Sequence, residues 1–297
     1  MTAFGEQTPP PYAATRPPYC FSLLLTDPAS AICSQWHSAF GPLLSTLDLP
    51  PAYSEQPPEL RTEVQVRAAR FSDLPSTPDC LAVPSTSFGL LRGLLGDTVA
   101  EWYGGGGSDT ETGTYGFVTT VQRALERTYC GQQPEGTCVL VDMQPLLQRL
   151  RESGDERPRP RWLALLAVVR ASNVAYVSAD VTYKCTWALL CAVRAHNAAC
   201  AALGTTTAAT TERINTVACP GIGTGVYGVP VPRAALQMAL AFRHFIEAPA
   251  NGGKTDGANG APDQRKLWEW NAGHIRSWTY ARQIANDVLA TILPPRD

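Results

Sequence analysis

The sequence predicts an α/β protein, a three-layer α/β/α sandwich around a mixed, largely parallel sheet. Three observations carry that reading. Strand-like and helix-like runs alternate along the chain, the pattern of layered α/β folds. Trp162 to Val169 is a continuous apolar run, suited to a central strand buried on both faces. A glycine-rich segment, VACPGIGTGVYGVP from Val217 to Pro230, separates a strand-like run from a helix-like one.

Taken in order, the Pro-rich opening residues 1–18 read as a disordered tail with neither a basic start nor an apolar run, so no secretory signal is expected. Phe21 to Leu25 is a short apolar strand. Thr26-Asp27-Pro28 then caps a helix to Phe40, with Ile32, Trp36 and Phe40 at helical spacing. Prolines between Leu49 and Pro58 make a surface connection. Thr62 to Ala68 alternates as an edge-like strand, and Leu81 to Val83 is a buried strand leading into a first loop.

Four glycines, Gly104 to Gly107, read as a mobile loop before a helix from Val118 to Tyr129. Cys138 to Val141 and Trp162 to Val169 follow as core strands. Tyr183 to Leu203 is a long helix whose small residues Ala188, Cys191, Ala195, Ala199 and Ala202 form a stripe expected to lie against the sheet. Ile214 to Ala218 is the next strand. A helix then opens near Pro232, with Ala235, Met238, Phe242 and Phe245 toward one face. Residues 248–265 read as a flexible insertion. Its APANGGKT segment matches a P-loop pattern but lacks a following helix. The C-terminal part carries Trp268, Trp270, Trp278 and Tyr280, then a helix through Ile284, Val288 and Leu289.

Composition narrows the function classes. The 297 residues are 44% hydrophobic and 17% charged with a net charge of −2, ordinary for a globular chain and no field for a nucleic-acid backbone. No apolar run approaches the ~20 residues of a membrane span. The nine cysteines are odd in number and form no CxxC pair, and the four histidines are scattered. Reduced thiols, no metal, no cofactor and an intracellular location, cytoplasmic or nuclear, are therefore expected.

The segment after Val217 is the chemical signal. Gly221, Gly223, Gly225 and Gly228 fall within eight residues. Such glycines permit positive φ and let a ligand approach the backbone, and N–H groups beside a helix N-terminus suit a diphosphate. Gly223, Gly225 and Gly228 also satisfy GxGxxG. A nicotinamide site would need an acid at the end of a following strand, whereas Glu247 ends a helix. A phosphate cradle is the leading reading; a dinucleotide fingerprint and a purely structural turn are the others.

The glycine segment resembles the second diphosphate loop of the macro domain family, the ADP-ribose-binding modules, and in particular long, divergent members reading CPGxGTG with a following Gln-Met pair, here Gln237 and Met238. DCLAVPSTSFG, Asp79 to Gly89, is similar to the family's strand and first ligand loop. The resemblance implies a macro-like domain over residues 19–297, binding ADP-ribose or a related nucleotide diphosphate, with ADP-ribosylated protein as a possible partner. Its implied contacts are Gly221, Ile222, Gly223, Thr224, Gly225, Val226, Tyr227 and Gly228 from the second loop, Tyr227 on the distal ribose, and Ser85, Thr86, Ser87 and Phe88 from the first.

The chain departs from the family at three places. The aspartate that grips adenine falls near Ala69, Arg70 and Phe71, with Asp27 or Asp73 as substitutes. The distal-ribose asparagine falls on Thr86, and the triple-glycine stretch becomes Gly93, Leu94, Leu95 and Gly96, followed by Asp97. A hydrolase acting on ADP-ribosyl conjugates, or a phosphatase acting on ADP-ribose phosphate, would have to use Asp97 or Thr86. A scaffold that has lost its ligand is the third alternative.

Overall fold

The central strands account for the sheet: every residue of Cys80–Thr86 is buried, and so is every residue of Trp162–Val169 but Trp162 itself. The structure, a computed structural model, describes residues 21–45, 63–104, 114–171, 177–202, 212–247 and 281–292. The predicted tail, the 49–58 connection, Gly105 to Gly107, the P-loop-like segment, the 248–265 insertion and the C-terminal aromatics lie outside the described residues.

Six strands form one sheet: β1 (Ser22–Thr26), β2 (Glu63–Arg67), β3 (Cys80–Thr86), β4 (Cys138–Asp142), β5 (Trp162–Val169) and β6 (Thr216–Cys219), in the order β2-β1-β6-β3-β5-β4. Every pair is parallel except β4 with β5. The mixed, mostly parallel sheet carries helices on both faces, a three-layer α/β/α sandwich.

Side chains alternate along each strand, so successive residues feed opposite layers. Ala164, Leu166 and Val168 of β5 join Leu23 and Leu25 of β1 on one face, under α1 (Ser30–Ser45), α5 (Val181–Ala202) and α6 (Val231–Glu247). Leu163 and Leu165 face the other way, under α2 (Gly93–Gly104), α3 (Thr114–Tyr129) and α4 (Gln144–Glu152). Trp36, Tyr103 and Phe242 are almost wholly enclosed. Burying side chains of this kind contributes roughly 1.5–3 kcal/mol each.

Three details differ from the sequence reading. β3 does not stop at Val83. It continues through Ser85 and Thr86 because β5 supplies a longer parallel partner, with Ser85 opposite Ala167 and Thr86 opposite Val169. Pro84 is accommodated past the last rung with β6, which ends at Leu81, where a residue without an N–H is easiest to place.

The alanine stripe of α5 is not the buried face. Cys185, Leu189, Val193, Asn197 and Cys200 are buried, while Ala195, Ala199 and Ala202 are exposed. The larger side chains remove more apolar area from water and set the helix rotation. The helices α2 and α4, absent from the sequence reading, complete the second layer.

The C-terminal helix, residues 281–290, docks through Val288 and Ile284 on Tyr183, Leu240 and Ala241, whereas Leu289 is about half exposed. Two polar ties fix it. His244 bridges Tyr183 Oη (3.0 Å) and Asp287 (3.2 Å), and Gln237 Nε2 donates to Thr291 Oγ1 at 3.0 Å. No helix among the described residues is long and apolar enough to cross a membrane.

Candidate functional site

Parallel strands deliver their following loops to one edge, and ligands of such sheets bind at those carboxyl ends. The two predicted ligand loops follow β3 and β6; a crevice borders the second at Pro220, and its lining includes none of Ser85 to Phe88 or Gly221 to Gly228.

The first loop is closed upon itself. Ser87 N donates to Val169 O (2.8 Å) and Gly89 N to Thr86 O (2.9 Å). Thr86 Oγ1 accepts from Phe88 N (3.3 Å) and Leu90 N (3.2 Å). Gly89 has a φ of +72°, and a Cβ there would stand 2.8 Å from Leu125 and Val121 side chains. Thr86 and Ser87 are buried, and the Ser85 hydroxyl donates to the Leu166 carbonyl at 3.3 Å. The side chains of Ser85 and Thr86 thus organise strand and turn instead of lining an open crevice. Phe88 alone of the four is substantially exposed.

The second loop is arranged the opposite way. Val229 N donates to Gly223 O (2.9 Å) and Gly228 N to Gly225 O (3.0 Å), closing a ring. Thr224 Oγ1 donates to Gly221 O at 3.0 Å. From beneath, the buried Thr182 hydroxyl donates to Ile222 O at 3.0 Å. The backbone N–H groups of Ile222, Gly223, Gly225, Val226 and Tyr227 have no hydrogen-bond partner among the described residues. Unpaired donors clustered before a helix N-terminus are groups that an anion could satisfy. The helix is α6, whose first turn begins immediately after the loop.

The glycines divide the needs among them, where the sequence reading gave all four the same two. Gly223 (φ +80°) and Gly228 (φ +71°) use the left-handed region. Gly221 does not; a Cβ there would meet Ile32 Cδ1 at 2.2 Å. Gly225 also has no left-handed φ, and a Cβ there would meet nothing within 4 Å, so its side-chain position opens onto free space.

Tyr227 packs partly against the core, and its hydroxyl is buried without a partner. Burial pushes its pKa up to about 12, against the pull of nearby Arg92. Val226 is largely exposed and reaches across to α2; a Cβ on Gly93 would stand 2.6 Å from Val226 Cγ1.

Beside this bridge is a mostly apolar crevice of about 250 Å3, lined by Asp27, Arg70, Phe71, Leu94, Leu95 and Pro220 among others. Thr26 Oγ1 donates to Ala69 O (2.7 Å), holding the ends of β1 and β2 together, and Asp27 Oδ1 accepts the Ala29 N–H (2.8 Å). Of the two substitute carboxylates, Asp27 lines the crevice; Asp73 sits in a 3₁₀ turn, Phe71–Asp73, outside its lining. α2 turns Leu94, Leu95 and Thr98 to the crevice, while Asp97 is exposed and is not part of the lining.

Asp79, at the head of the first motif, is a structural fastener. Its Oδ2 accepts the N–H groups of Asn215 (2.8 Å) and Thr216 (2.9 Å), pinning the start of β3 to the start of β6 at the edge opposite the loops. All eight described cysteines are free. Burial raises the thiol pKa of Cys185 to about 12 and those of Cys80 and Cys219 higher still, so these are protonated packing groups. No cluster of His, Cys, Asp or Glu suited to a metal occurs among the described residues. No family model matches the chain, and no curated protein matches it.

Proposed function

We propose that the chain is a macro domain-like module that binds ADP-ribose or a related nucleotide diphosphate. The observation that carries the reading is the contrast between the two loops. The first consumes its own N–H groups, whereas the second leaves those of Ile222, Gly223, Gly225, Val226 and Tyr227 unpaired above α6. A diphosphate supplies the acceptors those donors lack. The neighbouring crevice is mostly apolar and lies beyond Pro220, as a base end requires. The likeness of Val217–Pro230 and Asp79–Gly89 to macro domain loops supports the same ligand.

The chain binds its ligand without turning it over. Hydrolysis needs a group that polarises a water within reach of the scissile bond. Thr86 Oγ1 is occupied by two backbone N–H groups, and Asp97 stands outside the crevice lining. Calorimetric titration with ADP-ribose tests the proposal, with release of ADP-ribose from a modified protein followed in parallel. Saturable heat without release supports the binder. Release would support the hydrolase, and absence of heat at millimolar ligand would leave a scaffold.

A further inference from the structure

β4 closes the sheet at the end opposite β2, and its outer edge has no strand partner among the described residues. We infer that the groove along this edge, between α3 and α4, docks an extended acidic peptide that adds to β4 as a further strand.

The groove measures about 390 Å3. Arg123 and Arg127 enter it from α3, one turn apart, and Arg149 enters from α4. None of the three has an ion-pair partner among the described residues. The carboxylate in the lining, Asp142, is already committed: Arg161 pairs with it at 3.1 Å, and its Oδ1 accepts the Gln144 N–H at 3.0 Å. Arg127 and Arg149 sit in the last turns of their helices, where the helix dipole favours a cation. Arg123 has no such support and stands one turn from a like charge, an arrangement that repels unless an anion neutralises it.

The strand edge is an independent observation. Leu140, Val141 and Asp142 form one wall of the groove. An unpaired edge offers backbone donors and acceptors that another strand completes. Side chains on one face of a strand recur about every 6.8 Å, close to the ~5.4 Å of a helical turn that separates Arg123 from Arg127. Carboxylates at alternate positions of an added strand would therefore meet successive guanidiniums, which bind them through charge-assisted hydrogen bonds. A free phosphate would answer the charge and leave the edge unpaired.

The test uses the full chain and a fluorescein-labelled (Val-Glu)4 peptide, read by fluorescence anisotropy at low salt. Saturable binding is expected, weakened roughly tenfold or more in R123E/R127E/R149E, whose melting temperature should fall slightly because two of the changes place an acid at a helix C-terminus. The exposed Arg123→Gln serves if the triple variant fails to fold and should weaken binding several-fold. The same peptide N-methylated at every residue has no backbone N–H to give to an edge and should bind far more weakly. Equal binding by the charge-reversed chain, equal binding of the methylated peptide, or no binding of the acidic peptide overturns the inference. Binding of inorganic tripolyphosphate without binding of the peptide overturns it in favour of a phosphate site. The inference does not depend on the glycine loop: Gly225→Val should leave peptide binding unchanged.

Discussion

Gly223 and Gly225 are two residues apart, yet the structure assigns them separable consequences. At Gly223 a methyl group would meet Val229 Cγ2 at 2.8 Å on a backbone with φ of +80°. The left-handed conformation costs a non-glycine residue about 1–2 kcal/mol, and the displaced valine methyl adds about 1 kcal/mol. Gly223→Ala should therefore destabilise the fold by about 2–3 kcal/mol. With ~2–4 °C per kcal/mol for a domain of this size, the melting temperature should fall by roughly 4–12 °C. At Gly225 nothing lies within 4 Å and φ is not left-handed. Gly225→Val should hold stability within about 0.5 kcal/mol and place its methyl groups where a phosphate would sit. Loss of at least about tenfold in ADP-ribose affinity, ~1.4 kcal/mol, is expected. Thermal melts and calorimetry on the two variants decide it. Unchanged affinity in a folded Gly225→Val protein would refute the cradle, and an unchanged melting temperature for Gly223→Ala would refute the loop geometry.

Four other outcomes are expected. With Arg70 where the macro domains it resembles carry an acid, ADP-ribose should be favoured only weakly over guanine and uracil counterparts; competition titrations showing strong adenine preference, abolished by Asp27→Ala, would assign the grip to Asp27. Incubation with mono-ADP-ribosylated protein should release little or no ADP-ribose, and turnover lost in Asp97→Ala would reverse the assignment to a binder. Asp79→Ala, which strips acceptors from Asn215 and Thr216, should cost about 2 kcal/mol in urea unfolding; no change would show that β3 and β6 stay registered without it. Asp155 is held well below the ordinary carboxylate pKa, first by Arg157 and then by Arg159. Because the folded pKa is the lower one, its stabilisation is complete above the unfolded value and fades as pH falls below about 4. The stability gap between wild type and Asp155→Asn should accordingly shrink from pH 5 toward pH 2.

What the sequence disclosed follows from how local each signal is. Trp162 to Val169 reads as a buried strand because every residue is apolar, and the glycine loop announces itself through residue type alone. The reach of β3 into Ser85 and Thr86 depends on β5 being long enough to pair with it, through Ala167 and Val169 far along the chain. The stripe on α5 misled because small residues are compatible with close packing without requiring it, and Leu189 and Val193 offered more area. α2 begins at a glycine whose use is set by contact with Val226. The arginine groove has no linear trace, since two helices separated by a strand contribute to it.

The hydrogen bonds of Gln237 have a consequence for behaviour in solution. Its Nε2 reaches Thr291 of the C-terminal helix, and its Oε1 accepts the Tyr183 N–H at 3.3 Å. The neighbouring Thr182 hydroxyl holds the Ile222 carbonyl. Docking of the C-terminal helix and orientation of the loop peptides therefore draw on one connected set of groups. Thermodynamic linkage makes such a connection symmetric. If release of residues 281–292 loosens the loop, an anion that fixes the loop must slow amide exchange throughout those residues, far from anything it touches.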